Sequence, residues 1–194
     1  MLNRFDFKKD RRLINCLNDE LFCLSIKCFE ENSLDLEIAT LIYEELKYRK
    51  SSSSNKLLSD LLLGFSIVNH QPIQWLNHAK SIIRSIKNVD HNLKYTISIY
   101  AILRDGYSNK NQRYGVYVGQ TSKSVEERFL EHKSGINSGR GLPIHGIQIL
   151  RSLWPFEKVK GSKKLFYETA LNLSLKKIVP KVSGDINMDL MSTN

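Results

Sequence analysis

A chain of 194 residues with 41% hydrophobic and 25% charged side chains is long enough and apolar enough to bury a sizeable core, which excludes disorder over most of its length. No apolar run approaches the roughly 18 residues of a membrane span. Met1 to Arg12 is charged rather than signal-like, so the expected location is the cytoplasm. The net charge of +9 is unevenly spread: residues 1–90 hold 13 basic against 12 acidic side chains, and residues 91–194 hold 16 against 8.

A positive field concentrated in the second part attracts polyanions and releases counterions condensed on nucleic acid, so phosphate backbone is the leading partner for that part. The three cysteines, Cys16, Cys23 and Cys28, match no usual zinc spacing, and their odd number argues against a closed disulfide framework. They read as buried small hydrophobes.

Residues 1–90 predict an all-helical region. Leu13, Cys16, Leu17, Leu21, Leu24 and Cys28 recur at spacings of three and four, laying an apolar stripe along a first helix. A second helix is expected over 34–48, with Ser33 and Glu37 near its start. Ser51 to Asn55 reads as a polar loop. Helices follow over 57–68 and 72–86, the latter opened by Pro72, where a missing donor is tolerated, and facing inward through Trp75, Ala79, Ile82, Ile83 and Ile86. No catalytic cluster falls in this region, which is suited to DNA contact, dimerisation or binding of another protein.

From Lys94 the texture changes. Tyr95 to Leu103 is rich in β-branched and aromatic residues, 105–111 is polar, and Tyr114 to Gly119 resumes strand character, which predicts an antiparallel hairpin with a long tip. Ser124 and Glu127 suggest a capping box opening a helix that ends near Gly135, and on it Arg128 and His132 project from neighbouring turns of one face. Pro143 is expected to start another helix through Leu153, with Ile144, Ile147 and Leu150 inward. A third strand over 156–160 and a helix from Ser162 containing Glu168 complete residues 91–194 as a domain. Trp154 and Phe156 read as core anchors of the third strand, and His145 as structural.

Ser98-Ile99-Tyr100 and Tyr117-Val118-Gly119, followed by Arg128 and Glu168 in matching contexts, resemble the paired strand motifs of the GIY-YIG nuclease family over residues 95–185. The four-residue step from Arg128 to His132 further resembles the restriction endonucleases of that family. The resemblance implies an α+β fold, a small three-stranded antiparallel sheet flanked by helices. It also implies a metal-dependent DNA endonuclease, with Tyr100 as general base, Tyr117 as its partner, Arg128 on phosphate, His132 contributing to the site and Glu168 holding Mg²⁺, with Mn²⁺ as a substitute.

The chain departs from the family pattern at Ser98, which stands at the first glycine position, and in the sixteen residues, 101–116, between the motifs. After Pro180, Ser183 stands where the family carries asparagine, and Asn187 lies farther on.

The chemistry of each residue supports these roles. Glu168 is a hard oxygen ligand, Arg128 matches two phosphate oxygens at once, and a phenol beside a cation can orient or deprotonate water. His132 can accept a proton or hold the scissile phosphate. Taken alone, Arg128 would pair with Glu131 or Glu127 on the helix surface, and each tyrosine would be a packing residue. Lys123 and Gln120 lie just beyond the second motif. Lys158, Lys160, Lys163 and Lys164 flank the third strand and the Glu168 helix, where they would position duplex DNA without reading it. A restriction-type enzyme cutting both strands would act as a homodimer. The alternative is a nucleic-acid-binding module that keeps the fold and has lost catalysis.

Overall fold

The structure, a computed structural model, describes residues 13–30, 33–84, 86, 96–106, 113–139, 141–153 and 156–186. It is an α+β chain that divides into two compact units, 1–76 and 77–194. The division falls between Leu76 and Asn77, whereas the sequence places the domain boundary at residue 91. Tyr95, Trp154 and Asn187 lie outside the described residues, as does the hairpin tip at 107–112. Among the described residues no helix is long and apolar enough to cross a membrane.

The first unit holds helices α1 (Asn18–Lys27), α2 (Leu36–Arg49) and α3 (Ser52–Ile67). Its core joins Leu21, Leu36, Ile42, Leu46, Leu61 and Phe65, all buried. The stripe predicted for the first helix is corrected at its start: Leu17 is the N-terminal cap residue and is exposed, while Leu13, Leu21, Ser25 and Cys28 are buried. Of the cysteines only Cys28 is buried; Cys16 lies ahead of the helix, half-buried, and Cys23 faces solvent.

The cap of α2 is Asp35, whose carboxylate accepts from the Ile38 N–H at 3.0 Å, rather than Ser33. The serines read as a loop belong to a helix. Ser51 Oγ accepts from Ser54 N–H at 3.1 Å, satisfying an orphan donor and starting α3 at Ser52. Pro72 does not open the next helix. The Ile73 N–H donates instead to Thr40 Oγ1 at 2.9 Å, holding 70–73 out of helical geometry. Helix α4 therefore begins at Leu76 and runs to Arg84, burying Ala79 and Ile83.

The rest of the second unit is a mixed five-stranded sheet with helices α5 (Val125–Lys133), α6 (Leu142–His145) and α7 (Lys164–Lys176). The predicted hairpin pairs β1 (Ile97–Arg104) with β2 (Gly115–Thr121) antiparallel, setting Tyr100 opposite Gly119 and Ile102 opposite Tyr117. β4 (Phe156–Val159), the strand expected over 156–160, pairs antiparallel with β1.

Two strands correct the three-stranded expectation. The helix from Pro143 stops at His145, and β3 (Gly146–Ile149) pairs with the other end of β1, Ile102 opposite Ile149. The edge of β1 needs hydrogen-bond partners there, and strand pairing overrides the helical spacing of Ile144, Ile147 and Leu150. Ile144 is accordingly 80% exposed. β5 (Val182–Ser183) adds a parallel pairing on the far edge of β2.

Alternation sends Tyr100, Ile102 and Tyr117 to one face, where Tyr100 and Ile102 join Val125, Leu142 and Ile149 in a buried cluster flanked by Tyr117 and Phe129. α7 packs against β1 and β2. His145 ties α6 to the hairpin: its Nδ1 lies 3.2 Å from Asp105 Oδ1, and its carbonyl accepts from the Asp105 N–H at 3.1 Å.

Candidate functional site

Gly119 of β2 explains the site's compactness. A Cβ there would lie 2.6 Å from Tyr100 Oη and 2.8 Å from Tyr117 Cε1, so only hydrogen lets both phenols close over the strand. Tyr100 is fully buried and Tyr117 half-buried, with ring centroids 6.3 Å apart. Burial, with the neighbouring Tyr117, pushes the Tyr100 hydroxyl well above the usual phenol range, and Arg128 opposes the shift. Burial and the Glu168 charge raise Tyr117 as well.

α5 supplies the basic partners. Ser124 Oγ accepts from the Glu127 N–H at 3.2 Å, and Gly135, at φ +83°, ends the helix as expected. His132 faces inward, fully buried. Its Nε2 lies 2.7 Å from Tyr100 Oη, and its Nδ1 accepts from the Gly139 N–H at 3.2 Å. Burial, then the Arg128 charge, lowers its pKa to about 4, so the ring is neutral. Both ring nitrogens of this buried histidine are thus engaged by protein groups, leaving neither turned to the cleft.

Arg128 pairs with Glu131 at 2.8 Å, the surface pairing its sequence also allowed, and donates to the Asn137 carbonyl at 2.8 Å. It also acts electrostatically on Tyr100. Glu131 accepts from Lys123 too, and Lys123 and Arg128 hold its carboxyl below the ordinary range.

Glu168 stands on α7. It is buried, and its Oε2 accepts from Gln120 Nε2 at 2.8 Å. Burial and the Asp185 charge push it up to about 7, against the Gln120 hydrogen bond and Lys164. Gln120 pairs with Ile99, so alternation puts it on the sheet face opposite Tyr117. The phenol, imidazole and guanidinium groups and the carboxylate thus come from the two sides of β2. An open cleft of about 340 Å³ at the end of that strand is lined by Gln120 and Lys164 together with Lys123, Arg128 and Glu131.

Lys123 and Lys164 therefore border the cleft. Lys158, Lys160 and Lys163 are exposed, but the structure does not bring them into its lining. Ser98 pairs with Thr121, and Ser183, in β5, accepts from Arg104 at 3.5 Å and donates to the Val116 carbonyl at 3.4 Å. Ser183 thus ties strands together beside the cluster.

Three contributors escaped the sequence. Gly139 holds His132 and closes on Tyr117, where a Cβ would lie 2.6 Å from Cε2. Asp185 acts on both Glu168 and Tyr117. Asn172, one helical turn beyond Glu168, is buried and its Oδ1 accepts no hydrogen bond among the described residues. Only the i, i+4 step from Glu168 to Asn172 was visible in advance. Among the described residues no group of three or more His, Cys, Asp or Glu side chains gathers as a metal-ligand cluster.

Comparisons with protein-family models, curated proteins and solved structures find no match.

Proposed function

We propose that the second unit is a metal-dependent endonuclease of GIY-YIG type that hydrolyses phosphodiester bonds of duplex DNA in a restriction-like role. One observation carries this proposal: Tyr100, Tyr117, Arg128 and His132 interact as one polar cluster over Gly119, and the Glu168 carboxylate acts electrostatically on both phenols. A cluster serving only the fold would not need a buried carboxylate, pushed up to about 7, across the strand from it.

The residues fit a hard divalent cation. Glu168 is a buried carboxylate, Asp185 places a second negative charge near it, and Asn172 Oδ1 is a buried oxygen with no donor among the described residues. Mg²⁺ or Mn²⁺ prefers such oxygen donors and retains several waters, so Glu168 would hold the ion with little other protein ligation. When bound, the ion neutralises developing phosphoryl charge and acidifies water.

The chain's own groups divide the remaining work. Tyr117, the more exposed phenol, faces incoming water and phosphate, with Tyr100 packed behind it. Arg128 exchanges Glu131 for phosphate oxygens, keeping a charge-assisted contact while neutralising the substrate. Lys123 and Lys164 grip the backbone beside the cleft without reading sequence, and Lys158, Lys160 and Lys163 extend the basic surface. Cutting both strands would bring in a second copy of the chain.

A second proposal, a DNA-binding module without catalysis, draws on the complete burial of Tyr100 and the occupation of Arg128 by Glu131. Duplex, branched and single-stranded DNA incubated with the protein, with and without Mg²⁺ or Mn²⁺, separates the two. Metal-dependent cutting should fall by about 10²-fold or more in Tyr100→Phe and Glu168→Ala. Binding without cutting of any substrate selects the module, and cutting that survives both substitutions rules out the proposed site.

A further inference from the structure

Hydrogen-bond polarity in the cluster is set by a backbone group. The Gly139 N–H can only donate, and it points at His132 Nδ1 from 3.2 Å. Nδ1 must therefore carry a lone pair. In the neutral ring the proton then resides on Nε2, which lies 2.7 Å from Tyr100 Oη.

The Tyr100 oxygen consequently accepts from His132, and its own hydroxyl proton is directed elsewhere. Tyr117, whose ring centroid lies 6.3 Å from that of Tyr100, is the neighbouring phenol on that other side. The loop that presents Gly139 is itself fixed: Ser138 Oγ donates to the His132 carbonyl at 3.0 Å, and the left-handed Asn137, at φ 45°, offers its carbonyl to Arg128. The charged groups that act on His132 are Arg128 and Glu131, both on its own helix; Tyr100 and Tyr117 face it from the two strands.

We propose that Gly139 locks His132 in the Nε2–H tautomer, making it a fixed hydrogen-bond donor that orients the Tyr100 oxygen, and a positioning residue rather than a proton acceptor. The low pKa of the ring agrees with a group that stays neutral across the working range. A phenolate formed at Tyr100 would be held by Nε2–H and Arg128, its proton passing to the Tyr117 oxygen as Tyr117, the more exposed phenol, gives its own proton to solvent water. For the enzymatic consequence this rests on the nuclease proposal, whereas the tautomer itself does not.

The deciding measurement is the ¹⁵N long-range correlation spectrum of the His132 ring in the intact protein at neutral pH. The Nε2–H pattern is expected, unchanged in Tyr100→Phe because the backbone donor remains. An Nδ1–H tautomer or an imidazolium overturns the proposal, as does a tautomer that switches when Tyr100 is replaced.

Where DNA cleavage is measurable, His132→Gln can supply an amide N–H donor in place of the ring. It should keep kcat within about ten-fold and preserve the shape of the pH profile, while His132→Ala loses about 10²-fold. Equal loss in both, together with disappearance of an acidic limb, would make His132 a base and sink the proposal. Absence of cleavage by the parent protein, with the Nε2–H tautomer present, would count against the nuclease proposal alone.

Discussion

Gly119 and Gly139 close on opposite edges of one ring: added Cβ atoms would lie 2.8 Å from Cε1 and 2.6 Å from Cε2 of Tyr117. One glycine is in a strand and the other in a loop, yet they set the position of the same phenol.

Alanine at either position must displace that ring. Gly119→Ala and Gly139→Ala should each destabilise the protein by about 1–3 kcal/mol, the usual cost of overpacking. Gly161 has open space around it and no left-handed φ, so Gly161→Ala should stay within about 0.5 kcal/mol of the parent. Urea unfolding of the three variants checks this. A neutral Gly139→Ala would mean that the loop yields and does not clamp Tyr117.

Glu168 and His132 should tilt the pH dependence of stability in opposite directions. The carboxyl rises from 4.5 to about 7 on folding, so its contribution is full below pH 4.5 and is lost as pH climbs through 7. The imidazole falls from 6.5 to about 4, so its contribution is full above pH 6.5 and is lost as pH drops through 4. Each is worth on the order of 3 kcal/mol and, where the windows overlap, the two largely cancel. Glu168→Gln should therefore gain stability over the parent as pH rises from 4.5 to 7. His132→Gln should gain over the parent as pH falls from 6.5 to 4. Unfolding curves at half-unit steps of pH would reveal this; differences that do not vary with pH would show that neither group is perturbed by its burial.

Arg49 is the fastener of the helical unit. Its guanidinium donates to the carbonyls of Leu13 at 3.0 Å and Cys16 at 2.7 Å, to Asn18 at 2.8 Å, and from Nε to Glu45 at 2.9 Å. Arg49→Ala takes the guanidinium away from the buried Glu45 carboxylate and from three backbone and side-chain acceptors, and should cost on the order of 3 kcal/mol. Arg49→Lys, lacking the planar fork, should recover less than half of that. Limited proteolysis ahead of Asn18 is the direct readout, and protection equal to the parent would deny Arg49 this role.

Legibility followed the strength of local pattern. The β-branched run at Ile97, Ile99 and Ile102 announced β1, and the order Tyr117, Arg128, His132, Glu168 placed most of the cluster. Residues 146–149 read as helix but form β3, because Ile144, Ile147 and Leu150 fit a helical repeat while Ile147 and Ile149 equally fit a strand. The unpaired edge of β1 decided between them. β5 has two residues, too few for any periodicity. Ser51 to Asn55 misled because serines serve both loops and helix caps, and the Ser51 contact to Ser54 N–H cannot be seen in composition. Gly139 and Asp185 come near the cluster through tertiary turns that leave no regular spacing.

The pairing of Val182 and Ser183 with Val116 and Tyr117 covers the outer edge of β2, with Gly184, at φ +125°, packed against the Val118 carbonyl. So brief a parallel ladder is easily peeled. Once it opens, β2 offers a row of unmatched amides and carbonyls to any extended segment, including the same segment of another molecule. Self-association should then track the local opening of residues 181–184, read by amide exchange at Val116, and strand exchange would begin while the rest of the sheet is still folded.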